Sequence, residues 1–558
     1  MMRRLLIAAL VAGLGCTLGC TEDSSPSSTT MADSVTSSDS TIVEDSASPE
    51  DSAMPEDSTM PEDSTMPGDS TMPEDTQRSE ETTAPDDTSM SDDTAMPEDT
   101  TAPPVEPTPP TLPDGSWHAA GESGDSLIPS DVPVNDWPGL AYDAEGRAVV
   151  VFAERPIPVN DACPEDSTHL YVTRQTASGW THLDGATPGT EMASLDLIGA
   201  TGTQYAFAPQ VAVDADGGVI VAWTASHSCQ PMKIGSGLGT TIKVRRYDPA
   251  TGWADLGDGS TSDFGISGSI ANRASRLAID PMGRPVVLYV TANANLTDTA
   301  FVHLRRFENG QWKGLGDSGE GFGFGDGVFT DFRPTVFSLA FTPEGEPAAS
   351  WSRYPVLEFF SGGESAVIVK HWDGESWSGT AGSQTSPGLV PSGSFDFYEV
   401  ALLVTPYGRM HAAFAPIWLG DSAAALPLHH VSALPDGDWA PKVTVGSAGA
   451  FSGLHLSRPV LASGMGDRVF LAASMHSPTA ATKNPDDGVL VATLQEGEWV
   501  PVGESLEVVL PTGTGVEQVA LQGSEGSGAV SARVGLLWVE QPQGNASDSG
   551  GLRYLQYP

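Results

Sequence analysis

From residue 140 onward the chain alternates short apolar runs with polar turns, and the same figure keeps returning. Leu140-Ala-Tyr-Asp-Ala-Glu-Gly146-Arg-Ala-Val-Val-Val-Phe152 is answered almost position for position by Val211-Ala-Val-Asp-Ala-Asp-Gly217-Gly-Val-Ile-Val-Ala-Trp223. Further copies run from Leu277 to Leu288 around Gly283, Leu339 to Trp351 around Gly345, Leu402 to Phe414 around Gly408, and Val460 to Ala472 around Gly466. A looser one runs from Val519 through Gly526 to Trp538. Each reads as strand, tight turn, strand, because runs of about five apolar residues between Gly and Pro are too short for helices. Val219-Ile-Val-Ala-Trp223 and Val286-Val-Leu-Tyr-Val290 are apolar without alternation, the pattern of strands covered on both faces.

Downstream of each pair comes a third strand, such as Ile242-Lys-Val-Arg-Arg-Tyr247 or Phe301-Val-His-Leu-Arg-Arg-Phe307, then a tight Asp/Gly turn and a tryptophan. Trp180, Trp253, Trp312, Trp377, Trp439 and Trp499 recur at a spacing of roughly 60 to 70 residues, which fits four-stranded propeller blades with long loops. The seventh unit ends with its third strand, Gly551-Leu-Arg-Tyr-Leu-Gln-Tyr557, and lacks the tryptophan that follows the third strand elsewhere. The missing piece stands at the other end, where Asp114-Gly-Ser-Trp117-His-Ala-Ala-Gly121 matches Asp373-Gly-Glu-Ser-Trp377-Ser-Gly-Thr-Ala-Gly382. The pattern therefore predicts an all-β fold: a single seven-bladed β-propeller over residues 114–558, closed by its N-terminal strand, which removes the open edges of a linear array.

The apolar-DxxG-apolar element and the Asp/Gly turn before Trp resemble the repeats of bacterial sialidase-like and kelch-like propellers, over about residues 114 to 558. Asp248-Pro-Ala-Thr-Gly252-Trp253 and Asp373-Gly-Glu-Ser-Trp377 stand where sialidases carry an Asp box, without its preceding Ser or Thr and its full spacing. That box is structural, so the resemblance implies the fold and transfers no activity.

Ahead of the repeats the composition changes. Met1-Met-Arg-Arg4 followed by Leu-Leu-Ile-Ala-Ala-Leu-Val-Ala-Gly-Leu is a basic and then apolar export signal over residues 1–19. Leu5 to Gly19 is shorter than the roughly 20 residues that span hydrocarbon. Its end resembles a bacterial lipobox: Gly19-Cys20 turns polar at once with Thr21, Glu22 and Asp23, whereas Cys16 is followed by more apolar residues. Cys20 is the expected lipidation site, and ordinary cleavage without lipid is the alternative. Residues 20–113 are rich in Ser, Thr, Asp, Glu, Pro and Met, and from residue 21 carry 24 acidic side chains against Arg78 alone. Such a segment is expected to be an expanded linker, since it has too few apolar groups to offset chain entropy. A chain of this length reaches up to roughly 300 Å, far enough to lift a domain off a membrane.

The whole chain of 558 residues has 73 Asp and Glu against 26 Lys and Arg, a net charge of −47. That balance argues against nucleic acid and against anionic lipid as partners, because no positive field exists to release counterions. Of the four cysteines two lie in the leader, which leaves Cys163 and Cys229. Both fall in the long loop after the second strand of consecutive units, so an oxidising envelope is expected to join them in a disulfide.

Catalytic and metal signatures are weak. No GxSxG or HExxH occurs, His429-His430 is isolated, and the acidic loops Gly314-Leu-Gly-Asp317-Ser-Gly-Glu320 and Gly323-Phe-Gly-Asp326 lack an EF-hand's spacing. No cofactor is expected. The loop lengths say more. Second-to-third connections and links between units are long, the other turns short, and alternating strand direction places both long classes on one face. Binding is expected over that mouth, with Trp137, Arg276, Arg333, Tyr398 and Arg458 as rim candidates and Glu399 and Glu517 at comparable positions. The favoured function is a noncatalytic, monomeric binding or scaffolding module of the cell envelope, membrane-attached through its lipid alone and presenting its surface to a glycan or protein. The alternative is a secreted carbohydrate-active enzyme of sialidase or lyase type, which requires arginines converging on one pocket with a Tyr and carboxylates.

Overall fold

The computed structural model describes residues 117–119, 134–154, 170–183, 205–226, 240–325 (without 263, 269–271, 293–299, 320 and 322), 337–353, 365–379, 383, 388–390, 398–416, 428–445 (without 435–436), 455–464, 468–476, 488–502, 514–524, 532–542 and 551–557. Cys20, Cys163, Cys229 and Arg333 lie outside these residues, as do the leader 1–19 and the linker 20–113, and the side chain of Glu517 is likewise not described.

The described strands form seven four-stranded antiparallel sheets. Their innermost strands, which number the blades one to seven, are Val134–Tyr142, Tyr205–Val213, Asn272–Ile279, Phe337–Phe341, Tyr398–Val404, His455–Gly464 and Thr514–Ser524. Blades one to six take their strands in chain order; blade seven takes its outermost strand from the opposite end of the chain. There His118–Ala119 pairs with Gly551–Tyr557, His118 opposite Gln556 and Ala119 opposite Leu555. The permuted closure expected from the Trp117 match is thus the observed one.

The core is split among the interfaces. A hydrophobic cluster lies between each neighbouring pair of blades, and the cluster of Leu140, Val150, Phe152, Leu537, Val539 and Leu552 joins blade seven to blade one. Second strands carry most of the burial: every residue of Val219–Ser226 and of Met410–Pro416 is buried. Flanked by strands on both edges and blades on both faces, these strands have no side left for polar groups, which is why their sequences do not alternate.

On the short-turn face the repeated Asp accounts for the turn. The Oδ1 of Asp143 accepts from the amides of Glu145 and Arg147, that of Asp214 from Asp216 and Gly218, and that of Asp280 from Met282 and Arg284, all at 2.8–3.1 Å. Thr342 and Thr405 replace it in blades four and five, each hydroxyl accepting the later of the two amides at 3.2 Å. The last turn residue has positive φ, 71° at Gly146 and 79° at Gly217 and Gly283, which glycine adopts without a Cβ clash. Arginines tie these turns together. Arg284 Nε lies 2.6 Å from Asp280 Oδ2 while its Nη2 donates to Gly345 O of blade four, and Arg533 of blade seven donates to Gly146 O of blade one.

At the outer edge the tryptophan of one blade reaches the end of the blade before it. Trp312 Nε1 donates to Leu256 O at 2.7 Å, Trp377 Nε1 to Leu315 O at 3.2 Å and Trp117 Nε1 to Val502 O at 3.3 Å. In blade two the Tyr247 hydroxyl does the same to Leu183 O at 2.8 Å. Blade five departs from the expected pattern: Trp439 precedes the outermost strand, Val443–Val445, rather than opening it. Ala440 N donates to Ser432 O of the third strand at 2.7 Å, and Pro441, which has no N–H, interrupts the ladder before it resumes at Val443.

A second repeat escaped the sequence pattern. In the links after blades two, three and four, Ser260, Ser318 and Ser383 each donate through Oγ to a third-strand carbonyl, of Val244, Leu304 and Val369. Five residues later Gly265, Gly323 and Gly388 lie so close to the carbonyls of Ile242, Val302 and Val367 that a Cβ would collide with them.

Candidate ligand site at the mouth of the ring

The innermost strands begin at the long-loop face, and five of the seven are irregular there: blades three and seven shift between Asn272 and Ala274 and between Val516 and Gln518, and blades one, two and six carry wider bulges. In those three the registers shift between Asn135 and Gly139, between Phe207 and Gln210, and between Ser457 and Val460. Within each shift stands a residue of positive φ, Trp137 at 39°, Ala208 at 46° and Arg458 at 53°, and each is followed by proline. The proline explains the bulge, because a residue without an N–H is accommodated inside a sheet only where the ladder is broken. The consequence is that a side chain is re-aimed, at a backbone cost of order 1–3 kcal/mol per residue. The signal was present in the sequence as Trp137-Pro138, Ala208-Pro209 and Arg458-Pro459, prolines in segments that otherwise read as central strands.

Two of the rim candidates meet. The Arg458 guanidinium of blade six lies over the Trp137 ring of blade one, 5.9 Å from its centroid, so the contact reaches past blade seven. Beneath it is Glu399 of blade five, whose side chain is 2% exposed against 23% for Arg458. Glu399 Oε2 accepts the backbone N–H of Arg458 at 2.5 Å, and its Oε1 lies 3.8 Å from Arg458 Nε. A buried carboxylate needs such partners to remain charged. Glu399 therefore satisfies a bulged amide and a guanidinium.

Arg276 of blade three makes a separate bridge. Its Nε donates to Phe337 O of blade four at 3.3 Å, its Nη1 to Gln210 Oε1 of blade two at 3.4 Å, and its guanidinium stands 5.9 Å from the Phe337 ring centroid. Desolvation by burial pulls it down to about 10, which leaves it cationic at neutral pH. Tyr398 is not at the opening. It is 4% exposed, set edge-on to Phe414 at 6.0 Å, and its backbone N–H donates to Ser352 Oγ.

His429 and His430 point apart. His430 Nε2 is 3.1 Å from Nδ1 of the buried His411, the two rings are stacked, and Trp499 of blade six meets His430 edge-on at 5.0 Å. Burial pushes His411 down to about 3 and His430 to about 4, so both are neutral imidazoles sharing one hydrogen bond. Among the described residues no group of three or more His, Cys, Asp or Glu is placed to hold a metal ion, and no helix is long and apolar enough to cross a membrane.

No family model and no curated protein matches this chain. Solved structures do. Polysaccharide lyase Uly1 is similar at 10% identity over 79% of this chain and 92% of that one, with a TM-score of 0.40. A protein of unknown function from Dyadobacter fermentans matches at 15% identity over 66% of this chain and 97% of its own, TM-score 0.36. The leech intramolecular trans-sialidase matches at 12% identity over 80% and 70%, TM-score 0.35. By its seven sheets and their strand order the chain is a seven-bladed β-propeller of four-stranded blades, whose structural neighbours include sialidases and polysaccharide lyases.

Proposed function

We propose that this protein is an exported, envelope-anchored binding module that takes a glycan carrying an acidic group over the long-loop mouth. Cys20 carries the lipid, residues 20–113 form the spacer, and a Cys163–Cys229 disulfide braces two neighbouring loops. The observation that supports the reading is the convergence of Trp137, Arg458 and Glu399 from three blades. An indole face with a guanidinium laid across it matches a sugar ring bearing a carboxylate, since the ring stacks on the aromatic and the fork-shaped cation pairs with the anion. The buried Glu399 fixes the cation's position before any ligand arrives, which lowers the ordering cost of binding.

The test is titration calorimetry of the full chain against acidic and neutral oligosaccharides, with Trp137→Ala and Arg458→Lys on the mouth and Arg147→Ala on the opposite face. Arg458→Lys keeps the charge over Glu399 and removes the planar fork. The mouth variants are expected to weaken binding about tenfold or more, equivalent to ~1.4 kcal/mol, and Arg147→Ala to leave it unchanged. Loss confined to Arg147→Ala would overturn the assignment of the face. Release of new sugar ends during the titration would replace the binding module by the enzyme of the alternative reading.

A further inference from the structure

The outer edge of blade three differs from its neighbours in one respect that the mouth does not explain. In the third strand, blades two and three carry matching pairs, Arg245-Arg246 and Arg305-Arg306, and the outermost strand lies opposite in the same register. In blade two Arg245 faces Asp255, with Nε 3.4 Å from Oδ1, and Thr261 Oγ1 donates to the other carboxylate oxygen at 2.5 Å. That arginine is neutralised within its own blade. In blade three the residue opposite Arg305 is Gly314, and the preceding position, Ala254 in blade two, is Lys313. The acid has gone and a second cation has been added. Blade four keeps a glycine, Gly379, opposite Lys370, but Lys370 is engaged: its Nζ donates to Phe324 O at 2.8 Å.

The space left by this exchange is a cleft of about 620 Å³, with Arg305, Trp312, Lys313 and Asp317 among its walls. Arg305 donates through Nη2 to Gly319 O at 3.0 Å and is also hydrogen-bonded to Tyr289, while its buried Nε has no acceptor among the described residues. Lys313 and Asp317 are exposed, and Trp312 is half-buried, its indole N–H already given to Leu256 O. Glycines at 314, 316, 319, 321 and 323 line the remainder, and those at 316 and 321 are exposed. The volume falls within the range of small-ligand sites, about 300–1,000 Å³.

We propose that this cleft is a second saccharide site, which takes a single sugar residue bearing a carboxylate. The carboxylate pairs with Lys313 and with the Arg305 guanidinium that lines the cleft, Asp317 and the exposed peptide groups accept from and donate to hydroxyls, and the ring lies against Trp312. An acidic peptide shares the anion but has no ring of hydroxyls for Asp317 to meet. The site is distinct from the mouth and does not depend on the reading given there.

Titration of the full chain with D-glucuronate, with D-glucose and with a poly-glutamate peptide, followed by calorimetry and by tryptophan fluorescence, tests this. Glucuronate is expected to bind in preference to glucose by tenfold or more. Lys313→Ala, which restores the blade-two residue at an exposed position, should weaken glucuronate about tenfold without changing the melting temperature, and Arg305→Gln should do the same or more. In a Trp137→Ala/Arg458→Lys background, which removes any glucuronate bound at the mouth, a glucuronate-binding component should remain, and adding Lys313→Ala should weaken that component about tenfold. The proposal fails if glucuronate does not bind, if glucose binds equally, if poly-glutamate binds more tightly than glucuronate, or if glucuronate binding is lost in the mouth variants and retained in Lys313→Ala.

Discussion

The indole of Trp117 donates its Nε1–H to the carbonyl of Val502 at 3.3 Å, joining residues 385 positions apart. The ring also stands against Tyr557, with centroids 5.5 Å apart, so one side chain ties the start of the chain to its last strand and to the blade before it. Trp117→Ala is expected to destabilise the propeller by about 3 kcal/mol, at the low end for a large aromatic because the ring is only partly buried. Trp117→Phe keeps most of the apolar contact and gives up the hydrogen bond, a loss of about 1 kcal/mol. Urea unfolding of the two variants checks both values. Equal stability of Trp117→Ala and the parent would show that closure does not depend on this residue.

The buried imidazoles make stability pH-dependent. Burial holds His303 near 4 and His411 near 3, below the ordinary 6.5. Their neutral forms are favoured in the folded state, so between pH 6.5 and about 4 the unfolded chain binds more protons. Stability is complete above 6.5, falls as the pH drops, and stops falling below the folded values. His303 alone should account for about 2 to 3 kcal/mol between pH 7.5 and 4.5. Among the described residues neither of its ring nitrogens has a hydrogen-bond partner of good geometry, and the ring is stacked on Tyr289. His303→Phe should therefore be close to neutral at pH 7.5 and more stable than the parent at pH 4.5. Parallel pH slopes in the two proteins would refute the assignment.

Asp280 should be the costliest polar residue of the short-turn face to remove. Its side chain is fully buried, accepts the amides of Met282 and Arg284, and pairs with the Arg284 guanidinium. Asp280→Ala leaves these donors without their partner and is expected to cost about 2 to 4 kcal/mol. Asp280→Thr installs the cap that the chain itself uses at Thr342 and Thr405 and should lose about half as much. Asp216, exposed in the corresponding turn of blade two, should change stability by less than about 0.5 kcal/mol when replaced by Ala. Chemical denaturation of the three variants gives the order, and a reversed order would count against the cap.

The covalent features proposed from sequence are open to mass spectrometry. The mature N-terminus is expected to be a diacylated Cys20, and a free amine downstream of it would exclude the anchor. Non-reducing peptide mapping should recover Cys163 linked to Cys229, a cross-link whose chain-entropy contribution is ~4 kcal/mol. Two alkylatable thiols in the native protein would exclude it.

The blade count and the permuted closure were legible because a repeat states its own period: six tryptophans and the Asp–Gly turns set the register, and Trp117 fell into the one vacant place. Chemistry was less legible, since it comes from residues that break the repeat. Arg458 and Trp137 were singled out by position, but their meeting depends on bulges that re-aim both side chains, and only Pro138 and Pro459 marked those bulges. Tyr398, also named for the rim, is buried against Phe414, because blade five's strand stays regular from Tyr398 to Val404 and no bulge re-aims its ring. The cleft of blade three was hidden differently, in the exchange of Asp255 for Gly314, which is visible only when blades are compared in register.

The closing strand also fixes how the ring bears a load. Among the described residues His118–Ala119 pairs only with the final strand, at the outer perimeter of blade seven. Tension on the chain ahead of Trp117 is delivered to this short ladder and to one indole, peeling them before any of the longer strands is strained. A pull from the N-terminal side would thus part this ladder first, leaving blade seven with a bare edge while blades one to six retain their own four strands.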